Sequence, residues 1–109
     1  MKHVKQFKDT MGNVIASLEP SDTVYNIVLV ANTSQQFAIP AGAKFVRFST
    51  TSGADLLVKF ANSSITWPSI NVADGTGAEL NPWLTICEGK TYVSVLSNAN
   101  CILGMSFYL

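Results

Sequence analysis

Hydrophobic and polar positions alternate with a period of two along much of this chain. ADLLVKFA (54–61) sets Leu56, Val58 and Phe60 on one face and Asp55 and Lys59 on the other, with Leu57 between them. That spacing predicts a half-buried strand. TYVSVLS (91–97) sets Val93 and Val95 against Tyr92, Ser94 and Leu96. CILGMSFYL (101–109) gathers Cys101, Leu103, Met105 and Phe107 on one face, and the smaller, more polar set Ile102, Gly104, Ser106 and Tyr108 on the other. Helical spacing is hard to find anywhere.

TVYNIVLVAN (23–32) breaks the alternation, because it is apolar on both faces except at Asn26. A strand of that kind is covered on both sides. In a single small sandwich, the simplest second cover is another subunit. Tyr25, Ile27 and Leu29 are the interface candidates on it, although the pattern leaves open whether Leu29 or Val28 faces the core. AKFVRFST (43–50) also carries apolar side chains on both faces, with Lys44 and Arg47 mixed in.

Turn signals separate these runs: DTMGN (9–13), EPSD (19–22), IPAGA (39–43), TSGAD (51–55), DGTG (74–77), ELNP (79–82) and CEGK (87–90). Gly supplies positive φ and Pro fixes φ, so each reads as a chain reversal. Their spacing, close to the 8–12 residues of a sandwich or barrel, predicts an all-β fold, an antiparallel β-sandwich. Residues 1–22 read as an N-terminal arm or hairpin, with FKDTMGNVIASL (7–18) turning around Asp9–Asn13. Residues 23–109 read as the sandwich. The longest irregular region, 62–82, has room for one short strand around Ile65–Trp67.

Composition sharpens the case for assembly. The chain has 109 residues, no net charge, and only 13% charged residues against 48% hydrophobic ones. A soluble domain usually carries about 25% charge. Either Ser, Thr and Asn coat the surface or another chain covers part of it, and both are expected here. No apolar run approaches the ~20 residues that span a bilayer, so no membrane partner is expected. MKHVKQFKDT lacks the apolar core of a signal peptide, which points to synthesis in a cytoplasm. Lys2, Lys5 and Lys8 are three of the seven basic residues. They suit a solubilising edge or frayed arm, or an arm that reaches an acidic neighbour in an assembly. The rest of the chain has no basic excess, which argues against nucleic acid.

The residues that could carry chemistry are few. His3 is the sole histidine and lies in the arm, away from any group that would hold its imidazole for catalysis. The carboxylates fall mostly in turns, where they bond local amides. ADGTGAE (73–79) lacks the lysine of a phosphate loop, and Asp74 with Glu79 falls short of a calcium shell. No cofactor or metal is expected, and the chain reads as a non-enzyme. Trp67, Trp83 and Tyr92 suit core caps or an intersubunit seam; alternatively they are ligand-facing aromatics that stack on sugar rings. Cys87 and Cys101 are expected to be unbridged. With Leu84 and Ile86 facing the core, alternation turns Cys87 away from it while Cys101 faces inward, on opposite sides of a sheet.

FAIPAGAKFVRFSTTSGADLLVKF (37–60), DGTGAELNPWL (74–84) and TYVSVLSNANCILGMSFYL (91–109) together resemble small virion structural proteins of tailed bacteriophages. The resemblance spans roughly residues 37–109. It implies a β-sandwich or jelly-roll module that decorates or cements the capsid, or belongs to a head fibre or tail. Virion localisation, self-association (a trimer, by the three-fold tiling of capsid decoration) and a capsid or other virion partner follow from it. The competing reading is a receptor- or glycan-binding module of a phage fibre or tail. No functional residue carries over, because the shared positions are turn and core positions.

Overall fold

The computed structural model describes the backbone of residues 1–8, 14–17, 19–51 and 53–109, and the side chains of all these except 5–8 and 14–17. Ten strands follow in order: β1 (Lys5–Lys8), β2 (Val14–Ser17), β3 (Val24–Leu29), β4 (Gln35–Ala38), β5 (Phe45–Thr50), β6 (Leu56–Lys59), β7 (Glu79–Leu80), β8 (Leu84–Ile86), β9 (Tyr92–Ser97) and β10 (Cys101–Tyr108). No helix occurs among the described residues.

Two four-stranded antiparallel sheets form the body, ordered β3-β10-β5-β8 and β4-β9-β6-β7. They enclose one core, the arrangement of an all-β sandwich. Leu29, Val46, Leu103, Met105 and Phe107 enter it from the first sheet, and Leu56, Val58, Val93 and Val95 from the second. These are the inward positions of the period-two pattern. β10 has the longest such run and lies inside its sheet, paired with β3 on one side and β5 on the other.

The turns supply the expected backbone. In IPAGA the Ala43 N–H bonds the Pro40 carbonyl at 3.1 Å, and Gly42 takes φ +85°, as the third residue of a type II turn requires. Asn81 holds φ 48°. Its N–H donates to the Leu56 carbonyl, and its Oδ1 accepts from the Leu56 N–H.

Three expectations need correction. The segment Ile65–Trp67 forms no strand; the short strand of that region is β7. Ile86 is 67% exposed and Cys87 is buried, so Leu84 and Ile86 do not face the core together. Register explains the parity, because Thr85 sits opposite inward-facing Val46 and Cys87, two residues on, follows it inward. Finally, Cys87 and Cys101 belong to the same core rather than to opposite sides of a sheet; both thiols are free.

β1 and β2 pair antiparallel with each other, Lys5 opposite Ser17. The turn expected between them, Asp9–Asn13, lies outside the described residues. Segments flanking this hairpin are fastened to the last strand. Lys2 forms a parallel bridge with Tyr108, and the Leu109 N–H donates to the Lys2 carbonyl. Ser21 Oγ donates to the Phe107 carbonyl at 2.7 Å.

Candidate functional site

The outer faces of the two sheets differ. On the first, β3 is an edge strand, and its outward positions carry Val24, Val28 and, just beyond the strand, Val30. All three are exposed, Val28 by 73%. Ile102 on β10 lies opposite Val28 in register and is also exposed. Asn26, Gly104 and Ser49 continue the face. Farther across it sits Arg47, whose Nε is buried and has no hydrogen-bond partner. Exposed Ile86 and half-buried Phe45 flank it, paired in register.

The interface candidates on β3, Tyr25, Ile27 and Leu29, all have the inward parity. Leu29 is 0% exposed and Ile27 is buried, both inside the sandwich core. Tyr25 is half-buried, packs edge-to-face on Phe107 at 4.9 Å, and donates its hydroxyl to the Ala38 carbonyl. The exposed side chains on β3 are Val24, Asn26 and Val28. The sequence signal for them was the two-sided apolar run itself, which could not say which set points out.

On the second sheet, the outer face is covered around Leu57 and Leu96, while Leu80 beside them is 60% exposed. Leu57 and Leu96 lie opposite each other in register and point away from the main core. Ile65 and Ala78, from the long segment between β6 and β7, close over them as a small second core. The Ser94 hydroxyl donates to the Ala61 carbonyl at 2.7 Å, and Ser34 Oγ accepts the Ile65 N–H at 3.0 Å. Near its far end the segment is tied by Lys59 Nζ, which donates to the Thr76 carbonyl at 3.0 Å. Asp74 Oδ1 accepts from both the N–H and the hydroxyl of Thr76. The Thr76 hydroxyl bond, first among the causes, holds the Asp74 carboxyl below its ordinary range. ADGTG is thus a self-satisfied turn.

Between this segment and β6 lies an open cleft of about 490 Å³. Leu57 and Ile65 form its floor, Ile70 and Val72 an apolar wall, and Thr66 and Asn71 polar rim positions. Ile70 is 81% exposed.

The candidate aromatics do not converge. Trp67 stands between Thr66 and Pro68 at the cleft edge but does not line it. Trp83 is 66% exposed just before β8, and its carbonyl accepts the Phe48 N–H. Tyr92 lies at the start of β9 opposite Ala38. The lysines are dispersed too. Lys2 lies 3.9 Å from the Glu19 carboxylate, and Lys5 and Lys8 are on β1, where side chains fall outside the description. His3 is exposed.

No family model matches the chain, no curated protein is similar to it, and no solved structure matches it.

Proposed function

We propose that this chain is a non-enzymatic structural protein of a tailed-phage virion, a decoration or cement module that assembles with copies of itself, as a trimer, and binds neighbouring virion proteins. The observation that carries the reading is the exposed apolar strip of Val28, Val30 and Ile102 beside an edge strand. Apolar patches on soluble domains mark interfaces. No charged residue occurs between Asp22 and Lys44, so β3 and β4, the two strands on one lateral edge of the sandwich, lack the lysine that usually guards such an edge. An edge without charge sets up no electrostatic repulsion against another copy of this chain, which favours such a copy as the first partner. Half-buried Arg47 stands on the same outer face, and arginine is enriched among the residues that anchor interfaces.

The strand orders support a jelly-roll reading as well. Counted from β3, the sheets run first-eighth-third-sixth and second-seventh-fourth-fifth, an order consistent with two Greek keys in an eight-stranded jelly roll, an architecture used by viral capsid domains. The mechanism is burial. Each Å² of apolar surface removed from water contributes about 25 cal/mol, and a module bridging neighbouring subunits adds that area to the shell. Sedimentation of the wild type and of Val28→Lys, with and without capsids, tests the proposal. The wild type is expected to be oligomeric and to pellet with capsids, and the variant to do neither while staying folded. A wild type that remains monomeric at high concentration and ignores capsids refutes it.

A further inference from the structure

We propose that the cleft beneath the segment between β6 and β7 binds a saccharide bearing a carboxylate, a uronate or a sialate. Its volume, about 490 Å³, falls in the range of small-ligand sites, which pair apolar walls with a few placed polar groups. Ile70 and Val72 give an apolar wall that nothing covers, suited to the C–H face of a sugar ring. Ser64, Thr66 and Asn71 place hydroxyl and amide groups along the lining, suited to the ring's hydroxyls.

Lys59 sets the charge. It is the one charged side chain among the residues that line the cleft. An ammonium has three donors; the Thr76 carbonyl uses one and fixes the side chain in place. A sugar carboxylate fits the others as a charge-assisted pair. Asp74 does not line the cleft and its Oδ1 is committed to Thr76; its carboxylate also feels the Lys59 charge, so a ligand carboxylate shares that ammonium with it. The Ser94 hydroxyl bond to the Ala61 carbonyl, the Ile65 N–H bond to Ser34 Oγ and the Lys59 bond to the Thr76 carbonyl anchor the two ends of the covering segment. The cleft lies on the second sheet, whereas the apolar strip is on the first.

Gly77 gives a clean test. It lines the cleft, and a Cβ there would meet only Val72 Cγ1, at 3.9 Å. Gly77→Leu therefore fills the space without straining the backbone. Titration calorimetry and ligand-observed NMR would use a glucuronate-terminated disaccharide, sialyllactose and neutral lactose. At least one acidic sugar is expected to bind about tenfold or more tighter than lactose, and which one identifies the source of the carboxylate. Gly77→Leu is expected to abolish binding with an unchanged melting curve, and Lys59→Met to remove the preference for the acidic sugar. Absence of binding by both acidic sugars at about 10 mM, equal binding of lactose, or unaltered binding by Gly77→Leu overturns the proposal.

Discussion

The hydroxyl of Tyr108 donates a 2.6 Å hydrogen bond to the backbone carbonyl of Glu19, a residue 89 positions earlier in the chain. Tyr108 is fully buried although it occupies the outward parity of β10. The bond thus satisfies a phenol that water does not reach, and it anchors the segment leading into β3. Tyr108→Phe keeps the ring and removes the donor of this bond. It should cost about 1–2 kcal/mol, read as a lower urea midpoint at unchanged slope. An unaltered midpoint would show that the bond contributes nothing.

Adjacent residues on β3 should answer substitution in opposite ways. Leu29→Ala empties a fully buried position in the sandwich and should cost about 2–5 kcal/mol. Val28→Lys alters a 73% exposed position and should leave monomer stability within about 0.5 kcal/mol, because its effect belongs to assembly. Equal losses on thermal melting would contradict the parity of β3.

Asn81 combines a left-handed backbone with two side-chain bonds, one to the Leu56 N–H and one from Nδ2 to Asp55. Asn81→Gly keeps the backbone comfortable and loses the bonds; Asn81→Ala loses both advantages. Alanine should therefore be the more destabilising replacement, by about 1 kcal/mol. The reverse order in denaturant melts would assign the cost to something other than φ.

Both thiols lie in the core, and burial pushes the Cys87 thiol up from its ordinary pKa. Thiolate is the reactive form, so at pH 8 neither cysteine should react promptly with a thiol reagent in the native protein. Both should react once denaturant is added. An intact mass two hydrogens lighter would reveal a bridge and contradict the free thiols.

Acid should loosen the ADGTG turn before it loosens the sandwich. The folded Asp74 carboxyl lies below its ordinary range, first because of the Thr76 hydroxyl bond. Its stabilisation is complete above the unfolded pKa and is lost as pH falls through the lower folded value. The protection factor of the Thr76 amide, its exchange rate corrected for the intrinsic pH dependence, should therefore fall at low pH in the wild type. In Asp74→Asn this pH dependence should vanish; its persistence would place the titrating group elsewhere.

Period-two alternation made β6, β9 and β10 legible, because each has one face in the main core and those faces are apolar. Leu57 and Leu96 were visible as apolar residues on the wrong face, yet their meaning was not. They are buried by Ile65 and Ala78 from a segment with no periodicity of its own, and such a cover leaves no repeating mark. β8 misled for a different reason. At a short edge strand, polar Thr85 occupies the inward position while Leu84 and Ile86 face out, so hydrophobicity pointed the wrong way. Of the site, the apolar excess on β3 could be read directly. The cleft could not, since its residues converge only when the segment folds back over β6.

The placement of β10 between β3 and β5 also sets a timetable. During synthesis both outer partners leave the ribosome before the strand that joins them, so the first sheet cannot close until β10 has emerged. Until then β3 and β5 present unpaired edges, one of them the uncharged run described above. Folding of this sheet is therefore a late event dominated by distant pairings, which makes it slow and exposes the nascent chain to aggregation. A chaperone that holds extended apolar segments has its longest opportunity on β3, in the interval before Cys101–Tyr108 emerges.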